Sequence, residues 1–325
     1  MKKILFATTA LVATAGVAAA DVSFSGYGRF GMASTDGVGF SNTGVYSRIR
    51  LQIDMSTEAD NGITFGARLR YQASSFNGSA GTDPVFDGLN GTGGTINTFN
   101  AARFYAKAGG FELGVGNING AIEFMPGLYM NTQSSGIGLS GMGFSNLVTN
   151  TAGAGYWGWD AFSSGGAGAS TRNGVELIYS AGDFGAHLSY SQTPLTNVER
   201  LAAHVSYSFN DWTVALAMQD ATGSALDKTI VTVGGKIGPA NIGLAYADNN
   251  GIGKFGIYGQ VEVGAATRVD AFVTSEDGAL GGETYGLGVS HSLGGGASLE
   301  AGVTRDDTNW TGGYTAYDLG VRFNF

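Results

Sequence analysis

The chain has no cysteine among its 325 residues and only four prolines. Without cysteine there are no disulfide staples, no thiolate metal sites and no thiol redox chemistry. Charged residues make up 13% of the chain and basic ones are the minority, 17 against 26 acids, giving a formal charge of −9. An acidic balance of this kind disfavours nucleic acid as a partner. Histidine occurs three times, too seldom for a His-rich metal site. Beyond residue 20 there is no run of about 18 apolar residues, so no membrane-spanning helix is expected. What the chain has in quantity is glycine, 56 of it, and alternation.

Residues 1–20, MKKILFATTALVATAGVAAA, read as a signal peptide: Lys2 and Lys3, an apolar stretch, then Ala18-Ala19-Ala20 as the small-residue cleavage site. The alternative is a signal anchor, against which the small-residue end argues. The mature chain is expected to begin at Asp21, and loss of Lys2 and Lys3 takes the charge from −9 to −9 − 2 = −11. The protein is therefore exported, either as a soluble secreted protein or as a membrane β-barrel.

In GVYSRIRLQIDM (44–55), Val45, Ile49, Leu51, Ile53 and Met55 alternate with Tyr46, Arg48, Arg50, Gln52 and Asp54, the pattern of a strand with one apolar and one polar face. The period recurs to the end of the chain. Sixteen strands are expected, at about 22–33, 44–55, 62–74, 98–108, 110–117, 173–181, 184–192, 199–209, 212–219, 228–237, 240–247, 254–263, 266–275, 283–293, 297–305 and 314–325. Each has the length needed to cross a bilayer at a tilt of roughly 45°. Connections after even strands are short, such as Gly109-Gly110 and Gly182-Asp183; those after odd strands are longer and polar, such as 34–43 and 75–97. Apolar faces carry almost no charge, as in Phe255, Ile257, Val261 and Val263, while the opposite faces take Arg, Lys, Asp, Glu and Gln freely. A lysine or arginine facing the bilayer midplane costs roughly 2–4 kcal/mol. A barrel of sixteen strands leaves an aqueous interior, where such residues are tolerated. The fold class expected is all-β: a sixteen-stranded antiparallel transmembrane barrel over 21–325.

The last nine residues, YDLGVRFNF, place Tyr317, Leu319, Val321, Phe323 and Phe325 at alternate positions and stop on phenylalanine. Here the sequence resembles outer-membrane barrels, for which such an ending is the assembly signal. Over its whole length it is most similar to the general trimeric porins of Gram-negative bacteria, in particular the alphaproteobacterial, Rhodobacter-like kind. The resemblance implies a homotrimer in the outer membrane, contacts with lipid and lipopolysaccharide, and one long loop folded inward as a constriction.

That loop is expected at about 118–172, a connection without strand period. Connections this long in compact domains are usually functional or disordered. Ile122, Phe124, Met125, Leu128, Tyr129, Phe144, Trp157 and Trp159 indicate that it packs against something, and its only acids are Glu123 and Asp160. The family's loop often carries a Pro-Glu-Phe-Gly-Gly-Asp type of motif, of which only Glu123-Phe124 is present, followed by Met125-Pro126-Gly127. Keeping charged faces aligned about a turn at 56–61 puts Arg50 opposite Arg68 and Arg48 opposite Arg70, or one rung away, with Arg29 near Arg48 and Arg103 near Arg70, Lys107 lying further down. Like charges facing each other in a sheet are unfavourable. The expectation is a slot with Arg29, Arg48, Arg50, Arg68, Arg70 and Arg103 on the wall and Glu123 and Asp160 on the loop. Its field would run across a channel for ions and small hydrophilic solutes. A featureless solvated lumen is the plainer alternative.

Other function classes are weaker. A substrate-specific channel for anions or sugars would want a continuous basic track or stacked aromatics, and the lumen faces offer only Tyr27, Tyr46, Tyr105 and Tyr258. His187 and His204 fall on adjacent strands near Ser189, Ser191 and Ser206, so a barrel-borne Ser-His hydrolase is a remote rival; no oriented third member is evident, nor a carboxylate to complete a metal site. His291 falls on the apolar face near a strand end. No cofactor is expected. Oxygen-rich outer-loop acids (Asp83, Asp87, Asp248, Glu276, Asp277, Glu283, Asp306, Asp307) suit Ca²⁺ or Mg²⁺, with plain solvated charge as the alternative.

Overall fold

The computed structural model describes residues 20–37, 40–76, 95–129, 136–143, 173–193, 198–223, 227–309 and 312–325. Strands β1 (Asp21–Gly37), β2 (Phe40–Glu58) and β3 (Thr64–Phe76) open the chain. They are followed by β4 (Thr95–Phe99), β5 (Arg103–Ala108) and β6 (Phe111–Gly116). A two-residue hairpin, β7 (Gly136–Ile137) and β8 (Met142–Gly143), stands apart as its own sheet. Strands β9 (Asn173–Ala181), β10 (Phe184–Thr193), β11 (Val198–Phe209), β12 (Trp212–Ala221) and β13 (Lys228–Ile237) come next. The last six are β14 (Ala240–Asn249), β15 (Ile252–Val263), β16 (Thr267–Glu276), β17 (Gly282–Gly294), β18 (Ala297–Asp306) and β19 (Tyr314–Asn324).

From β1 to β4 and from β9 to β19 each strand pairs antiparallel with the next, β5 pairs with β3 and β6, β6 pairs with β9 across the long connection, and β19 returns to β1. The sheet is closed, so it has no free edge. Both β4 and β5 pair with β3, which makes them two pieces of one barrel strand interrupted at 100–102 and gives a closed barrel of sixteen strands. Closure reaches the final residue: Gly26 N–H donates to the Phe325 carbonyl (2.9 Å) and Phe325 N–H to that of Gly26 (3.1 Å).

Burial is inverted relative to a soluble domain. Phe24, Phe30, Met32, Phe104, Leu216, Ile257, Leu287 and Leu319 are exposed, while Arg29, Arg48, Glu176, Lys254, Asp270 and Glu300 are buried. The two-residue period produces this once the sheet closes on its polar face and presents its apolar face to lipid. The tight turns follow from residues that tolerate positive φ. Gly109 and Gly110 take φ of 54° and 85°, the left-handed pair that a two-residue hairpin requires.

Besides the break at 100–102 in the strand expected at 98–108, two early connections differ from the sequence reading. The first connection is not a loop over 34–43, because β1 runs on to Gly37 and β2 begins at Phe40. The second turn is not at 56–61, because Ser56, Thr57 and Glu58 continue the ladder and the reversal spans Ala59 to Ile63, closed by Ala59 N–H to the Ile63 carbonyl (2.9 Å). That slip moves every rung between β2 and β3.

Candidate functional site in the barrel lumen

With the turn displaced, Arg50 faces Gln72 rather than Arg68, Gln52 faces Arg70, Asp54 faces Arg68 and Arg48 faces Ser74. The parity of the faces is kept, but no arginine on β2 opposes one on β3. The register thereby avoids like-charge rungs. Arg50 donates from Nε and Nη2 to Gln72 Oε1 (2.9 and 2.6 Å), Arg68 Nε to Asp54 Oδ1 (2.6 Å), and Arg70 Nη2 to Gln52 Oε1 (3.3 Å). Asp54 thus brings to the wall itself an acid that the slot hypothesis had put only on the loop.

Like-charge rungs remain on other ladders, Arg68 opposite Arg103 among them. Arg29 faces Arg48 on one side and Arg322 of β19 on the other. Aromatic faces soften the Arg29 rung. Tyr27 has the guanidinium carbons of Arg322, Arg50 and Arg29 at 4.4, 5.5 and 5.6 Å from its ring centre, and Arg29 lies 5.1 Å from the Tyr46 ring while donating to the Tyr46 hydroxyl (2.5 Å). Guanidinium groups are drawn to aromatic faces by the ring quadrupole. Arg322 was missed in the sequence reading. Its signal was present, because in VRFNF it falls on the polar parity of a strand that must pair with β1.

Arg103 does not join the open wall. Its Cα faces Arg68, but the buried guanidinium turns to the next strands, 2.5 Å from both Glu112 and Glu176, with Nε 2.6 Å from Glu176 Oε1. Lys107 pairs with Glu112 at 2.8 Å. The expectation that Arg103 sits near Arg70 fails because two carboxylates on β6 and β9 claim it first.

The described parts of the connection at 118–172 are strapped to the lumen wall. Ile122, Met125 and Leu128 pack on Ile230 and on Ala202, Ala215, Ala217, Ala245 and Ala247, alanines on β11, β12 and β14 whose small side chains leave a trough for them. Backbone pins fix the start: Gly120 N–H donates to Glu176 Oε2 (2.9 Å), Ala121 N–H to Ser189 Oγ (3.0 Å), and His204 Nδ1–H to the Ala121 carbonyl (2.6 Å). Thr232 Oγ1 donates to the Pro126 carbonyl (2.6 Å). Further on, Asp318 accepts from Leu139 N–H (3.0 Å), Ser140 N–H (2.7 Å) and the Ser140 hydroxyl (2.6 Å), and Ile137 packs with Tyr258, Phe272, Tyr314 and Ala316. Glu123 is half-buried on this strap and lies within electrostatic reach of Arg70. Phe124 stays exposed, with its ring edge-on to His187. Phe144, Trp157, Trp159 and Asp160 lie outside the described residues.

His187 does have a carboxylate: its Nε2–H donates to Glu176 Oε2 (2.9 Å). With His204 committed to Ala121 and Ser189 accepting from the same residue, these groups form a loop seat and not an assembled nucleophile–base pair. Among the described residues no group of three or more His, Asp or Glu is arranged to hold a metal ion. Glu276 pairs with Lys254 (2.6 Å), Asp307 with Arg305 (2.6 Å), and Asp306 accepts from Thr308, while Asp83 and Asp87 lie outside the described residues. His291 is exposed and hydrogen-bonds Thr267 Oγ1 (2.8 Å).

A closed barrel that is greasy outside and charged inside, with a loop strapped across its interior, is an outer-membrane channel protein. Comparison with known proteins agrees. The profile of the Gram-negative porin family matches residues 7–311, and the chain belongs to that family. It is 29% identical to a porin of Fuscovulum blasticum over 322 residues, 94% of this chain and 100% of that one. It is 30% identical to a porin of Rhodobacter capsulatus over 181 residues, 45% of this chain and 60% of that one. Among solved structures it is similar to an engineered triple mutant of the Rhodopseudomonas blastica porin, at 28% identity and a TM-score of 0.74, covering 94% of this chain and 100% of that one. Another engineered variant of that porin gives a TM-score of 0.72 at the same identity and coverage. The protein is a general outer-membrane diffusion channel.

Proposed function

We propose that the narrow part of the channel is a slot with guanidinium groups on one side and loop carboxylates on the other, passing ions and small hydrophilic solutes through a transverse field. The wall is Arg29, Arg48, Arg50, Arg68 and Arg70, extended by Arg322 and tempered by Asp54; Arg103 falls outside it because its charge is met by Glu112 and Glu176. The acids are Glu123, with Asp160 as the other acid of the connection. The observation that carries this reading is the coupling of Glu123, on a loop pinned to the barrel, to Arg70 on the wall. Charges held on opposite sides of a gap orient dipolar solutes and disfavour apolar ones that cannot replace lost water.

Several finer expectations belong to the same proposal. The protein acts as a homotrimer, with the small outward residues Gly26, Gly28, Ala67, Ala102 and Ala106 of the first strands allowing close approach of neighbouring barrels. Export uses a signal peptide cleaved before Asp21. The outward series Tyr317, Leu319, Val321, Phe323 and Phe325 serves as the assembly signal, and outer-loop acids hold divalent cations against lipopolysaccharide.

Planar-bilayer recording tests the central claim. Large ohmic openings in three steps are expected, and replacing Arg48, Arg50, Arg68 and Arg70 by glutamine shifts the reversal potential in a salt gradient toward cation preference. Unchanged ion selectivity and exclusion limit would refute the transverse field. Saturable transport of a single solute would replace it with a substrate-specific channel.

A further inference from the structure

A second group of cations lies on the other side of the barrel. From β2 to β13 is eight steps round the sheet in either direction, so Lys228, at the start of β13, belongs to the side of the barrel opposite the arginine-bearing β2. Its side chain is on the polar parity of β13, one inward-facing position beyond Ile230. Ile230 itself is covered by the strapped loop. The Lys228 rung is therefore the next inward-facing rung beyond this apolar seat toward the outer mouth. Gln219 of β12 and Asn249 of β14 stand directly across from Lys228 in the two flanking ladders.

Lys228 is 2% exposed, and among the described residues nothing accepts a hydrogen bond from its ammonium. The charged groups that act on it are Lys254 and Arg200, both cations and both buried. Lys254 has Glu276 at 2.6 Å, and Arg200 donates to Thr193 Oγ1 at 3.1 Å, so each side group is itself held in place. Lys228 is thus a buried ammonium whose own nitrogen has no acceptor among the described residues and whose charged neighbours are cations. An isolated buried charge is strongly unfavourable unless it is paired and hydrogen-bonded. Bilayer lipid cannot supply the partner, because this face points into the lumen.

We infer that the Lys228 rung, with Arg200 and Lys254 on either side, is an anion seat for a free oxyanion in the lumen, a phosphate or carboxylate solute that meets Lys228 as a point charge and Arg200 through the fork of its guanidinium. The inference rests on the lumen being an aqueous path, but it does not need the transverse field. The seat would hold anions on the outer side of the slot before they reach the arginine wall.

The probe is inorganic phosphate at neutral pH, compared with chloride at equal ionic strength, on the full-length protein. In thermal unfolding, phosphate is expected to raise the melting temperature of the wild type by several degrees. In planar bilayers it is expected to lower chloride conductance saturably. Lys228→Met should abolish both effects, weakening phosphate binding at least about tenfold, and should be no less stable than wild type in phosphate-free buffer. Lys228→Arg should retain both. Arg200→Gln, which leaves Lys228 intact, weakens the phosphate effect and carries the same test if the methionine variant does not assemble. The inference is overturned if phosphate acts no differently from chloride, or if Lys228→Met responds as wild type does. A channel with Arg48 and Arg50 neutralised should keep its phosphate response, so failure of the slot and failure of the seat give different results.

Discussion

Replacing Glu176 by glutamine probes how the strap is held. In the native protein this buried carboxylate meets Arg103 twice (2.5 and 2.6 Å), His187 at 2.9 Å and the Gly120 amide at 2.9 Å. Glutamine keeps the shape but removes the charge and turns one oxygen into a donor, which has no acceptor in front of Arg103. Removing one partner of a buried ion pair costs about 3–5 kcal/mol. Glu112 remains 2.5 Å from Arg103, which puts the expected loss near the bottom of that range, about 3 kcal/mol. Glu112→Gln is the internal control. That carboxylate is 17% exposed and is shared with the half-exposed Lys107, so about 1 kcal/mol is expected. Denaturant titration of the two variants in detergent, followed by tryptophan fluorescence, gives the comparison. Because Glu176 also pins Gly120, its variant should show extra open-channel noise that the Glu112 variant lacks. A Glu176→Gln loss below 1 kcal/mol, or a larger loss for Glu112→Gln, would refute the reasoning.

Two other perturbations follow from the same contacts. Asp318→Asn replaces a carboxylate that takes three hydrogen bonds from Leu139 and Ser140, and is expected to destabilise this end of the strap by about 2 kcal/mol; proteolysis of the folded protein within the 118–172 connection should then quicken, and no change in cleavage would count against the anchor. Gly28→Val adds a β-carbon that would overlap the Phe323 ring at the β1–β19 seam, with an overpacking cost of about 1–3 kcal/mol; the yield of heat-modifiable folded barrel on gels should drop, and wild-type yield would show that the ring simply swings into lipid.

Much of the protein is written along the chain. Alternation alone specifies sixteen strands, because a strand's two faces are read from successive residues and need no partner to define them. Parity likewise puts Arg29, Arg48, Arg50, Arg68 and Arg70 inside and Phe323 and Phe325 outside. Register is different. It depends on where a hairpin turns, and Ser56-Thr57-Glu58 are polar enough to read as turn while they fold as strand, so the facing rungs became Asp54–Arg68 and Gln52–Arg70. The fate of Arg103 was also invisible, because Glu176 is 73 residues away in sequence and reaches it only after β9 pairs with β6. The same holds for the trough of alanines that receives Ile122, Met125 and Leu128, and for Lys228, whose isolation among Arg200 and Lys254 exists only once four ladders are in place. The local period determined what faces water and what faces lipid. Only the closed sheet decided which charges meet, since that is set by long-range pairing and by a loop folded across the barrel.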